Sequence, residues 1–297
     1  RLAHLLPPPE PTARGEQRLL VPVANPATAT RILDLAFQLR QPDRVGAVYP
    51  LSIVRDGPDL AAGIARAEDL LKACRVHAAA ADLPIQALLR VDVNYTDGIA
   101  RAAKELQVDL VLAGWGGEAN TSTRIFGSVT EKLLDACPAR MLFCRLLRPL
   151  NTTRRLLLLL PPDADRRSDL QALLQDAKWL ARQVGADLRL YLAGPIAGTL
   201  RQLAEKTPPT RPLTVLVDDT PEASRERLLH ELADGDLVFM LGERPTGASW
   251  SPTLEAWAAQ LVVRFPYNNL LLAYQAPLHD SALLDLQEVV PVPAAPQ

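Results

Sequence analysis

The chain has 297 residues, 48% of them apolar and 22% charged, and a net charge of −2. That length argues for two domains, and that balance for globular units with cores of their own. Lys and Arg number 32 against 34 Asp and Glu, and aromatic residues make up 5%, so neither a basic footprint nor a stacking platform for nucleic acid is present.

Cys74, Cys137 and Cys144 form no CxxC and fit a reducing compartment, where thiols pack as small apolar groups. His4, His77, His230 and His279 are scattered, so no metal site is expected. The apolar run Leu156–Leu160 stops at Pro161, short of the roughly 18 residues a membrane span needs. Residue 1 is Arg, which leaves open a membrane portion upstream.

Residues 1–17, with Pro7, Pro8, Pro9 and Pro11, read as a stiff linker. The spacing then predicts a strand at Leu19–Val23, a helix over Ala27–Leu39 and a strand over Val45–Val54. A long helix follows at Leu60–Ala81, then a strand at Ile85–Val91, a helix at Thr96–Leu106 and a strand at Val108–Ala113. After a glycine-rich loop come a helix at Ser128–Cys137 and a strand at Met141–Leu146. Strands apolar almost throughout, alternating with helices, imply a parallel sheet covered on both faces.

The plan then repeats. Strands are predicted at Arg155–Leu160, Leu188–Leu192, Leu213–Val217, Asp236–Met240 and Leu270–Tyr274, with helices at Leu170–Val184, Thr199–Glu205 and Glu222–Leu232. Arg18 to Asp109 is 91 positions against 81 from Arg155 to Asp236, and Asp109 to Met141 is 32 against 34 from Asp236 to Leu270, spacing that supports duplication. The expected fold is α/β: two tandem Rossmann-like domains, each a five-stranded parallel sheet flanked by helices. Their bounds are 18–150 and 151–276, with a flexible tail at 277–297.

Gly114-Trp115-Gly116-Gly117 lies beyond the fourth strand, where an open parallel sheet gathers its ligands, and Gly127-Ser128 opens the next helix. Bare Cα positions let a backbone approach phosphate, and the free amides of a first helical turn can hold an anion. Ser128-Val129-Thr130-Glu131 is also a capping box, which alone would account for the serine. On the residues alone both readings stand.

Glycine, two residues, glycine, nine residues, glycine, serine: this spacing of Gly114, Gly117, Gly127 and Ser128 resembles the nucleotide-binding members of the universal stress protein superfamily. The resemblance extends over about 18–146, and over about 154–275 in plan only. It implies five parallel strands, a homodimer formed through the last strand, and ATP or a related adenine nucleotide, with or without Mg²⁺; the departures at Ala24 and Glu118 put a less charged ligand, AMP or a cyclic dinucleotide, beside ATP. Carried over, Gly114, Gly117, Gly127, Ser128 and Val129 would hold ribose and phosphates. Pro22, Val23, Ala24 and Asn25 at the first strand end, with Tyr49 and Pro50 of the second strand, would flank the adenine.

Two departures stand out. Ala24 replaces the usual aspartate, and Glu118 would repel phosphate unless Arg124 compensates. In the second copy Asp163 is matched to Ala24 and Gly242-Glu243-Arg244-Pro245 to the first loop; Pro245 and Glu255 break the motif, so this copy reads as degenerate. Asp92 and Asn94 read as turn residues, His77 as a helix residue with no acidic partner within a turn, and Trp250 and Trp257 as core. No GxSxG elbow, Walker lysine or paired-acid arrangement appears, so no catalytic residue is assigned.

The resemblance extends to the tandem cytoplasmic tails of bacterial cation/proton antiporters. The expected function is therefore an adenine-nucleotide-binding regulatory module, cytoplasmic, and tethered to the inner membrane by a transporter portion upstream. A stand-alone stress protein with slow ATP hydrolysis and a nucleotide-free dimerisation scaffold are the alternatives.

Overall fold

The structure, a computed structural model, describes residues 16–41, 46–115, 128–161, 163–244 and 252–277. Its first half runs β1 (Leu19–Pro22), α1 (Pro26–Leu39), β2 (Val48–Arg55), α2 (Leu60–Ala80), β3 (Leu88–Asp92), α3 (Tyr95–Glu105), β4 (Leu110–Gly114), α4 (Ser128–Ala136) and β5 (Arg140–Arg145). The second half runs β6 (Arg155–Leu159), α5 (Leu170–Gln183), β7 (Asp187–Ala193), α6 (Ala197–Lys206), β8 (Thr214–Asp218), α7 (Pro221–Glu231), β9 (Asp236–Leu241), α8 (Pro252–Arg264) and β10 (Asn269–Tyr274). Helix α8 has no counterpart among the sequence expectations. Trp257, Ala258, Leu261 and Val262, the helical stripe it buries, were the signal.

Local chemistry sets the helix starts. Asn25 caps α1 by accepting from Ala27 N–H at 2.9 Å, with Pro26 in the first turn, where its missing N–H costs nothing. Asn94 caps α3 in the same way through Asp97 N–H at 2.9 Å. Thr220 caps α7 through Ala223 N–H at 3.2 Å.

Both halves belong to one sheet of ten strands, ordered β3-β2-β1-β4-β5-β10-β9-β6-β7-β8. Every neighbouring pair within a half is parallel; β5 and β10 meet antiparallel. Arg140 starts β5 opposite Leu110, and Asn269 starts β10 opposite Leu237, so Phe143 and Leu272 hold the same place in their halves. These two pair directly. An approximate two-fold axis therefore crosses the β5–β10 ladder. The edge through which two chains were expected to pair is taken by the chain's own second half, which corrects the expectation of a homodimer through the last strand.

Alternate residues of the central strands face two separate cores. One lies under α1, α2, α5 and α6, with Ile32, Leu70, Leu173 and Leu200. The other lies under α3, α4, α7 and α8, with Ile99, Leu133, Leu228 and Leu261. Across the two-fold axis Trp179 Nε1 donates to Arg40 O at 2.7 Å, and Arg140 pairs with Asp176 at 2.9 Å. No helix among the described residues is long and apolar enough to cross a membrane.

Candidate functional site

In the first half β1 lies between β2 and β4, and the chain leaves β1 and β4 toward opposite faces of the sheet. Such a divergence at the carboxyl ends of the strands marks the usual place for a ligand in an open parallel sheet. Val23 N–H donates to Leu51 O at 2.8 Å, which sets the level of the edge. Ala24 and Asn25 follow it, both exposed, and the Asn25 side chain is engaged in the α1 cap.

Beside this point a cleft of about 750 Å³ lies over the carboxyl end of β2. Ala24 and Pro26 form one wall, Ile53 and Tyr95 supply apolar surface, and Arg55 and Arg66 bring positive charge. Asp56, Asp59 and Asp69 add carboxylates. Tyr95 is 46% exposed, a large aromatic left open beside a cleft. Asp92 accepts from Val93 N–H at 2.8 Å and pairs with Arg101 at 3.2 Å. With Asn94 capping α3, both residues serve the turn.

Tyr49 and Pro50 are placed differently from expectation. Tyr49 pairs with Leu20 and Pro50 with Val21, well before the strand's end, and Tyr49 is 8% exposed within the core of the α3–α4 face. Neither flanks the edge. Ser52, Ile53, Arg55 and Asp56 hold that place, and the apolar run through Val54 was the signal for it.

Gly114 ends β4, where an added Cβ would lie 2.8 Å from Ile32 Cδ1. Trp115 N–H donates to Cys144 O at 2.9 Å, and its ring packs half-buried against the α3–α4-face core. Gly117, Glu118, Arg124 and Gly127 lie outside the described residues. Ser128 begins α4, and Val129 in its first turn is 56% exposed. His77 does have an acidic partner, on another helix: its Nε2 lies 2.6 Å from Asp34 Oδ1 of α1.

The second half repeats the geometry with other contents. Leu160 N–H donates to Tyr191 O as Val23 N–H does to Leu51 O, so Pro161 follows where Ala24 does in the first half. Asp163, matched to Ala24 from sequence, falls two residues later. Gly242 N–H donates to Ala273 O as Trp115 N–H does to Cys144 O, which puts Gly242 in Trp115's place. The crevice is filled. Arg167, 6% exposed, places Nε 3.0 Å from Asp169 Oδ1, and its Nη1 lies 2.7 Å from Gly242 O and 3.2 Å from Glu243 Oε2. Gln275 Nε2 donates to Glu243 Oε1 at 2.8 Å. A buried ion network occupies the space a ligand would need.

Residues 16–145 match the universal stress protein family. The match covers the first half alone. The chain is 27% identical over 145 residues to the Na⁺/H⁺ antiporter NhaS5 of Synechocystis sp. (strain ATCC 27184 / PCC 6803 / Kazusa), a match that spans 47% of this chain and 21% of the antiporter. In fold it is similar to a universal stress protein from Archaeoglobus fulgidus DSM 4304, with a TM-score of 0.58 at 14% identity, over 86% of this chain and 97% of that one. It is also similar to the cytoplasmic domain of a prokaryotic cation chloride cotransporter, with a TM-score of 0.53 at 13% identity, over 91% and 99%. The universal stress protein fold thus extends through both halves, while the family's sequence pattern stays in the first.

Proposed function

We propose that the universal stress protein domain binds an adenine nucleotide at the carboxyl edge of β1 and β4, and that the chain is a regulatory module of a cation transporter. The observation that carries the reading is the cleft of about 750 Å³ over the carboxyl end of β2, walled by Ala24, Ile53 and Tyr95. The equivalent place in the second half is closed by Arg167, Asp169 and Glu243.

The base would lie toward Ala24, Ile53 and Tyr95 in the cleft. The phosphates would meet Gly114, Gly117, Gly127, Ser128 and Val129, with Arg124 supplying charge and Mg²⁺ where a polyphosphate is bound. The transporter assignment draws on the antiporter match and the cotransporter fold. It places the module in the cytoplasm, tethered through a preceding membrane portion. The reading is of a binding module, with nucleotide occupancy as the signal, rather than an enzyme.

Native mass spectrometry of gently purified protein should detect a retained adenine nucleotide. Titration calorimetry with ATP, AMP and cyclic AMP, with and without Mg²⁺, then ranks the ligands. Gly127→Val should abolish binding while circular dichroism stays unchanged, because its methyls would enter the phosphate space. Unchanged affinity in that variant would sink the site assignment, and phosphate release by bound ATP would sink the non-enzymatic reading.

A further inference from the structure

We propose that Arg244, a residue of the second half, is a positioning residue for the nucleotide site of the first. The inference rests on the nucleotide reading above and adds a reason for the degenerate copy to persist. Counted along the sequence from the Trp115–Gly242 match, Arg244 corresponds to Gly117, so the second copy has a long cationic residue where the first has glycine. That side chain crosses the β5–β10 seam. It is 5% exposed, with Nη2 3.2 Å from Cys137 O and 3.1 Å from Ala139 O, and Nε 2.8 Å from Gln275 O.

Cys137 and Ala139 follow the last turn of α4, and Cys137 N–H still donates back to Leu133 O at 2.9 Å. The helix spans nine residues, Ser128–Ala136. At 1.5 Å per residue it is a rod of about 14 Å, too short to be stable by itself. Its amino end carries the motif serine, and its carboxyl end is gripped by the guanidinium. A positive charge at the carboxyl end complements the helix dipole, and the forked donor fixes the direction in which the helix points its free amides. Arg244 therefore sets where the phosphate-facing amides lie without touching the nucleotide.

Arg145 offers a matched control. It too is a seam arginine, with Nη1 3.2 Å from Asn268 O and Nη2 2.6 Å from Pro266 O, but it holds second-half carbonyls and not those after α4. The test measures ATP affinity by calorimetry and melting temperature in the full chain, for wild type, Arg244→Gln, Arg244→Lys and Arg145→Gln. Arg244→Gln should weaken ATP about tenfold, and Arg145→Gln by less than about twofold, although both lower the melting temperature. Arg244→Lys should recover part of the loss, since one ammonium can reach a carbonyl but cannot reproduce the fork. If Arg244→Gln does not fold, the lysine variant decides: a several-fold weaker affinity at near-wild-type melting temperature supports the role.

Equal losses in the two glutamine variants, or none in Arg244→Gln, would overturn the inference while leaving the nucleotide site intact. Failure of the wild type to bind ATP, AMP or cyclic AMP would overturn the nucleotide reading and this inference with it.

Discussion

Tyr274 leaves no room for a side chain at position 242. A Cβ there would lie 2.3 Å from the ring's Cζ, and Tyr274 is 1% exposed and held edge-on against Phe143. Gly242→Ala should therefore cost about 1–3 kcal/mol through overpacking, read as a lower melting temperature. Gly114 is a different case, because the atom an added Cβ would meet is the end of the flexible Ile32 side chain. Its glycine is not dictated by packing alone.

The thiols are legible at this scale as well. Cys74, Cys137 and Cys144 are at most 2% exposed, and burial pushes each thiol above its ordinary value of 9.0. Burial, followed by the hydrogen bond to Glu231, raises Tyr191 above 10.0. Folding thus keeps protons that the unfolded chain begins to lose near pH 9, so stability should be full below that pH and fall as pH rises beyond it. Thermal melts at pH 8, 9 and 10 check the sign, as does a thiol reagent that reacts at pH 8 only after denaturation. A melting temperature that rises with alkalinity would contradict the burial of these groups.

At the scale of elements, the caps carry testable weight. Asn25→Ala and Asn94→Ala each remove one acceptor from a helix start and should each cost about 1 kcal/mol in denaturant titration. Most elements were legible because strand and helix periods differ so plainly in this sequence. Ends were harder to place. Ile85 was expected to start a strand, yet only a single bridge joins it to Val48, and regular pairing begins at Leu88 with Leu51. Pro50 stands between these points on β2, and a residue with no N–H interrupts the ladder. Tyr49 and Pro50, assigned to the site by resemblance, lie mid-strand because β2 runs on to Arg55. His77 escaped for another reason: its partner Asp34 is 43 residues away on α1, and no local spacing reports a contact between two helices.

As a whole molecule, the chain carries its own dimer interface. With one sheet through both halves and buried arginines bonded across the seam, the halves should unfold together. Calorimetry should show one transition whose van't Hoff and calorimetric enthalpies agree; two resolved transitions would mean the halves are energetically separate. Residues 16–150 expressed alone would bare the β5 edge, and self-association by light scattering is the expected result.

The sequence by itself determined the order of the strands and of every helix but α8, the duplication, and the spacing of the glycine-serine motif, because these depend on period and local spacing. Only the tertiary structure decided that the two halves share one sheet, that Arg167 closes the second crevice, and that Arg244 reaches the end of α4. Each of those depends on which distant groups meet once backbone pairing and burial are satisfied, and no spacing along a chain encodes such a meeting.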